Sequence, residues 1–167
     1  MMETPLGVLR ADEISGATQR LGCLILGTND LVKDLNAEHT PNREPVIAAL
    51  GLCVLAAKAH GLAVVDGVYN AFKDDEGLHQ SCLQGRAMGF DGKTLIHPAQ
   101  IAACNDVFSP DEAALDLARR QVEAFTEASE KGEGVAVVDG RIVENLHVEA
   151  AERLLAKADA IRAMVAA

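Results

Sequence analysis

The sequence predicts an α/β fold: a parallel sheet with helices packed on its faces. Three observations carry this. From residue 22 onward, short apolar runs alternate with longer amphipathic ones, as strand–helix repeats do. The short runs are nearly continuous in Leu, Val and Ile, which suits strands buried on both faces. Each also ends in small or polar residues: Thr28-Asn29-Asp30, Asp66-Gly67 and His97-Pro98. In α/β folds ligands gather beyond the carboxyl ends of the strands, so these residues mark the working face.

The elements follow in order. CLILG, from Cys23, reads as a strand, and REPVIAALGLCVLAAKAHG as a helix closed by Gly61, since glycine readily takes the left-handed cap conformation. LAVVDG is a second strand. DDEGLHQSCLQGRAMG is a second helix, with acids in its first turn and Gly89 at its end, complementing the helix dipole. GKTLIHP is expected to form a third strand. SPDEAALDLARRQVEAFTEASEKG is a third helix with Ser109 as N-cap, Pro110 at the first position and Glu112 completing a capping box. It stops at Gly132. The tail breaks the alternation: GVAVVDGRIV reads as a hairpin around Asp139-Gly140. The last helix carries Leu146, Ala150, Leu154, Leu155 and Ala158 on one face. No linker, low-complexity segment or fixed-period repeat interrupts the 167 residues.

Composition narrows the function classes. The formal charge of −10 argues against nucleic-acid and anionic-membrane partners, because phosphate binding needs a basic surface. No apolar run approaches the roughly 20 residues of a bilayer span. The opening MMETPLGVLRADE lacks a cationic flank followed by an apolar segment, so no secretory signal is expected. A cytoplasmic protein fits. Cys23, Cys53, Cys82 and Cys104 form no CxxC pair and read as buried thiols of a reducing compartment.

Two carboxylates stand out. Glu3 follows two methionines, as at the end of a strand, and Asp30 ends the next one, 27 positions on. That is about one βα repeat, and in a barrel it puts both acids at the tops of adjacent strands. Two hard oxygen ligands with room for water and substrate oxygens suit Mg²⁺, which can polarise a carbonyl. The plainer reading makes Glu3 an exposed terminal acid and Asp30 a helix cap. Asp66 is either a ligand-facing acid or a turn-former before Gly67. His97 reads as a structural histidine, with general base as the alternative. Lys93 reads as a salt-bridge partner. His39, His60 and His79 are expected to face solvent.

METPLGVL, LGTNDLVKDL, GLAVVDGVYNAFKDDEG, GRAMGFDGKTLIHPAQI and VFSPDEAALDLARRQVEAF together resemble the citrate lyase β-subunit-like branch of the HpcH/HpaI aldolase/citrate lyase family. The resemblance runs over nearly the whole chain. It implies a Mg²⁺-dependent (β/α)₈ barrel, with Mn²⁺ as an alternative metal. The chemistry implied is carbon–carbon cleavage of a 3-hydroxyacyl-CoA thioester of the malyl-CoA, citramalyl-CoA or citryl-CoA type. The products are acetyl-CoA, or a related acyl-CoA, and a 2-oxo acid. Hydrolysis of a malyl-CoA-type thioester is the alternative. The family's metal-binding Glu and Asp fall on Glu3 and Asp30. Gly27 and Thr28, beside Asp30, are small enough for substrate to approach the backbone. Glu144 falls where related lyases carry an Asp that transfers a proton from a neighbouring subunit's C-terminal extension. Homo-oligomers, trimers or hexamers, are implied.

A complete barrel of this kind takes about 250 residues. The text therefore reads as the C-terminal half, about strands 5 to 8, with a hairpin and helix extension. Residues 1–108 are expected to form the partial barrel domain, and 109–167 its last helix and the extension. The family's substrate-binding Arg has no match here; Arg43 lies in a different motif. Open parallel edges and an uncovered apolar face imply a chain that works with a complementary half or by self-association. Two rival readings are a non-catalytic remnant acting as a subunit, and a response-regulator-like domain. The latter lacks an early acid pair and leaves GKTLIHP unexplained.

Overall fold

In the computed structural model, which describes residues 1–165, three short strands lie side by side in chain order: β1 (Cys23–Ile25), β2 (Ala63–Asp66) and β3 (Gly92–Lys93). Both pairings are parallel, with Leu24 opposite Val64 and Asp66 opposite Lys93. Ahead of β1, Met2 forms one further parallel bridge to Leu26. The Met2 N–H donates to the Ile25 carbonyl at 2.7 Å, and the Gly27 N–H to the Met2 carbonyl at 2.9 Å. The strand end expected before Glu3 is therefore present as a single bridge.

This sheet belongs to a unit of residues Met1–Phe108; Ser109–Ala167 form a second unit. In the first, α1 (Pro5–Leu9) is capped by Thr4, whose hydroxyl accepts the Gly7 N–H at 3.1 Å. Helix α2 (Ala11–Gly16) follows, and α3 (Thr28–Asp34) starts straight after β1. A 3₁₀ turn at Glu44–Val46 leads into α4 (Ile47–Ala59), and Gly61 just beyond it has φ +67°. Helix α5 (Asp75–Met88) is capped by the Asp74 carboxylate and ends on Gly89 at φ +98°. Helix α6 (Gln100–Phe108) closes the unit. Both glycine stops are where the sequence puts them.

Side chains alternate across the strands. Leu24, Leu26 and Val64 point into a core with Leu50, Cys53 and Ala57 of α4 and Leu78 and Cys82 of α5. Cys23, Ile25 and Val65 on the other face are only half-buried, and Ala63 is exposed. The strands are thus closed on one face, not on both as their apolar runs suggest.

GKTLIHP is a strand only at its first two residues. Its neighbour β2 stops at Asp66, so the ladder has no partner to continue with. Thr94 ends it by donating both its N–H and its hydroxyl to the Asp66 carbonyl, at 2.9 and 3.0 Å. The chain then turns into α6, with the Gln100 side chain accepting the Ile96 N–H at 3.0 Å.

In the second unit, α7 (Glu112–Glu130) starts two residues later than the sequence suggests. Asp111, not Ser109, is its N-cap and accepts the Ala114 N–H at 2.7 Å. Aspartate and serine cap about equally well, so side-chain type alone does not locate the start. The hairpin is as expected: β4 (Ala136–Val138) and β5 (Arg141–Val143) pair antiparallel. Asp139 and Gly140 take φ values of +49° and +74°, as a type I′ turn requires. Helix α8 (Asn145–Val165) buries Val148, Ala151 and Ala158; Leu146 and Ala150 are exposed. The buried stripe is offset from the expected one because Val148 packs in the cluster with Val143 and Val138.

All four cysteines are free thiols, with Cys23 half-buried and the others buried. Burial pushes the Cys53 thiol up to about 11. The Cys82 and Cys104 thiols interact: with Cys82 and the Lys93 ammonium beside it Cys104 is held below the usual thiol range, while Cys104 and burial push Cys82 up. Among the described residues no helix is long and apolar enough to cross a membrane.

Candidate functional site

The carboxyl edge of the parallel sheet carries Glu3 beyond the Met2 bridge, Gly27 to Asp30 beyond β1, and Gly67 to Asn70 beyond β2. Glu3 is half-buried and lies directly over Gly27. A β-carbon on Gly27 would stand 2.5 Å from the Glu3 Cβ, 2.8 Å from its Oε2 and 2.9 Å from the Met1 sulfur. Glycine is required there for close approach, not for backbone conformation, since its φ is −99°. Asp30 lies exposed in the first turn of α3, where the helix dipole favours an acid. Among the described residues neither the Glu3 nor the Asp30 carboxylate makes a hydrogen bond or ion pair. Nor do three or more His, Cys, Asp or Glu side chains there converge as a metal-holding group.

The Glu3–Gly27 contact gives a direct test. Gly27→Ala must shift the Glu3 backbone as well as its side chain, because the nearest clash is with the Glu3 Cβ, and forced overpacking of this kind costs about 1–3 kcal/mol. Gly51→Ala is the control: it lies inside α4 with open space at its Cβ position, and alanine there gains up to about 1 kcal/mol. Urea unfolding of the two variants should shift the midpoint in opposite directions.

Thr28 is buried, its hydroxyl and methyl filling the space that a Gly67 side chain would take: a Gly67 Cβ would meet them at 2.4 and 2.6 Å. Glu144 belongs to the second unit. It is exposed, and its backbone N–H donates to His147 Nδ1 at 3.1 Å.

Asp66 is neither ligand-facing nor simply a turn-former. Its carboxylate is fully buried and accepts from Arg43 Nη1 at 2.8 and 2.7 Å, Lys93 Nζ at 2.8 Å and the Gly67 N–H at 2.8 Å. Gln84 Oε1 accepts from Arg43 Nε at 2.7 Å, while Arg43 Nη2 is buried without a partner. Burial holds the Lys93 ammonium below the usual lysine range despite the opposing pull of Asp66. The salt-bridge reading of Lys93 is met. Arg43's part in the cluster was not legible: its partner lies 23 residues away, and its own φ of +60° is unusual for a non-glycine residue.

His97 has a structural setting, stacking on Phe72 with ring centroids 5.1 Å apart and accepting the Ala99 N–H at 3.2 Å. His39 is exposed and His79 half-buried. His60 is exposed as expected, and its Nε2 pairs with Asp12 at 2.8 Å. A further contact had no signal in the sequence. Asn29, at the start of α3, and Asn70, in the loop after β2, exchange side-chain hydrogen bonds of 3.0 and 2.8 Å.

The family described as HpcH/HpaI aldolase/citrate lyase matches over residues 1–98. A (3S)-malyl-CoA thioesterase of Cereibacter sphaeroides is 61% identical over 163 residues, covering 98% of this chain and 57% of that protein. Citrate lyase subunit beta of Escherichia coli is 34% identical over 158 residues, 95% of this chain and 52% of that one. CitE from Mycobacterium tuberculosis, solved in complex with magnesium, acetoacetate and coenzyme A, aligns with a TM-score of 0.74 and 28% identity, covering 93% of this chain and 58% of that structure. The chain thus spans a little over half the length of the relatives it matches. With a family match over more than half of its length and a 61% identical relative, the chain belongs to the HpcH/HpaI aldolase/citrate lyase family.

Proposed function

We propose that this chain carries the metal-binding edge of a Mg²⁺-dependent enzyme acting on a malyl-CoA-type thioester, and that the reaction is thioester hydrolysis. The observation that carries the metal edge is the Glu3 carboxylate seated on the Gly27 backbone, beside the loop bearing Asp30, with neither acid neutralised by a protein partner. The 61% identical malyl-CoA thioesterase puts hydrolysis ahead of the carbon–carbon cleavage that the sequence patterns put first. The relation to citrate lyase subunit beta keeps cleavage as the second reading. The half-exposed sheet face of Cys23, Ile25 and Val65 supports the further proposal that these strands are about the fifth to eighth of a barrel.

The donor set fits the metal: two hard carboxylates and no nitrogen or sulfur ligand suit Mg²⁺, which keeps several waters and binds through one or two carboxylates. Bound there, it supplies Lewis-acid polarisation of a substrate oxygen. Glu3 and Asp30 hold the ion. Gly27 keeps the approach to the sheet edge free of side-chain bulk. Glu144, exposed and without an ion pair among the described residues, is the candidate proton-transfer group, positioned to exchange protons with solvent.

The test is product analysis. Malyl-CoA with Mg²⁺ and the purified chain should yield malate and free CoA thiol. Acetyl-CoA plus glyoxylate would establish the lyase reading instead. Neither product, with the 61% identical malyl-CoA thioesterase active under the same conditions, would make this chain the non-catalytic partner.

A further inference from the structure

We propose that Asn70 is a positioning residue for the acidic start of α3, acting through its reciprocal amide pair with Asn29, the residue next to Asp30. The inference rests on the metal reading of Glu3 and Asp30 given above.

The loop after β2 braces the start of α3 at two consecutive residues. Thr28 is seated in the space left by Gly67. Asn29 donates to Asn70 Oδ1 at 3.0 Å and accepts from Asn70 Nδ2 at 2.8 Å, across 41 residues of chain. The bracing loop is itself tied down at each end. The Gly67 N–H donates to the buried Asp66 carboxylate at 2.8 Å, and Gln100 Nε2 donates to the Tyr69 carbonyl at 3.0 Å. Asp30 follows in the same first turn of α3, and its carboxylate has no partner among the described residues. Its direction therefore follows from how Thr28 and Asn29 seat the start of α3.

The energetics point the same way. Both amides are exposed, and a hydrogen bond there contributes only about 0.5–1.5 kcal/mol. That is too little to hold the fold, but enough to orient a carboxylate for a metal. Groups that orient ligands change metal affinity by about 10–100-fold when removed.

The test uses Mn²⁺ as the probe, with the free ion followed by its EPR signal in the presence of the full chain. Asn70→Ala should weaken Mn²⁺ binding about tenfold while leaving the urea midpoint nearly unchanged. Asn29→Ala should match it. The double variant should be no weaker than either single, because the two act as one pair. Unchanged Mn²⁺ affinity in Asn70→Ala, or additive losses in the double variant, overturns the proposal. A Glu3→Gln chain that binds Mn²⁺ as tightly as the parent overturns the metal reading itself, and this inference with it.

Discussion

Glu3→Gln and Asp30→Asn should each lower Mg²⁺-dependent turnover of malyl-CoA by about 1,000-fold or more while leaving the fold intact. Lewis-acid stabilisation by a bound metal amounts to several kcal/mol, and each 1.36 kcal/mol is a factor of ten in rate. Both substitutions keep side-chain size and remove only the charge. Stability should hardly move, because neither carboxylate is bonded to another side chain among the described residues. Glu3 is half-buried and Asp30 exposed, and surface changes away from such bonds usually stay within about 0.5 kcal/mol. The measurement is steady-state turnover across a Mg²⁺ titration, with thermal unfolding as the control. Retained activity in either variant would remove that residue from the metal site.

Asp66→Ala should have the largest effect on stability. It leaves two cations, Arg43 and Lys93, facing each other beside a vacated, fully enclosed position. Removing one partner of a buried ion pair costs about 3–5 kcal/mol, a large part of the roughly 5–15 kcal/mol that holds a domain together. Both cations lose their counter-charge, and Arg43 already has a second buried nitrogen without a partner. The loss should be read from urea unfolding at neutral pH. A triple variant, Asp66→Ala with Arg43→Met and Lys93→Met, should recover much of it, because apolar replacement of a whole buried charge cluster is often neutral or better. A single Asp66→Ala variant as stable as the parent would show that the cluster contributes little.

Features set by short-range chemistry were legible in the sequence. The Asp139-Gly140 turn, the glycine stops at Gly61 and Gly89 and the three strand starts all follow from local residue preference. Features that depend on a distant neighbour were not. GKTLIHP has the apolar pattern of a long strand, but β2 ends at Asp66 and leaves Thr94 and Leu95 nothing to pair with. The buried stripe of α8 is set by its packing on α7 and by Val148 against the hairpin, not by the helix's own pattern. Short α1, α2 and α6 lack enough turns to show a helical period. At the site, the 27-residue interval and the family resemblance pointed to Glu3 and Asp30. The groups arranged around them were invisible, because Arg43–Asp66 and Asn29–Asn70 close over 23 and 41 residues.

The single bridge at Met2 makes register a chemical variable. Glu3 is carried to the sheet edge by two backbone hydrogen bonds, one on either side of Met2. In any strand a slip of one residue turns every side chain to the opposite face. Here such a slip would swing the Glu3 carboxylate away from Gly27 and send the Met2 side chain out of the core it fills. The apolar anchoring of one methionine therefore selects which face of the sheet carries the acid.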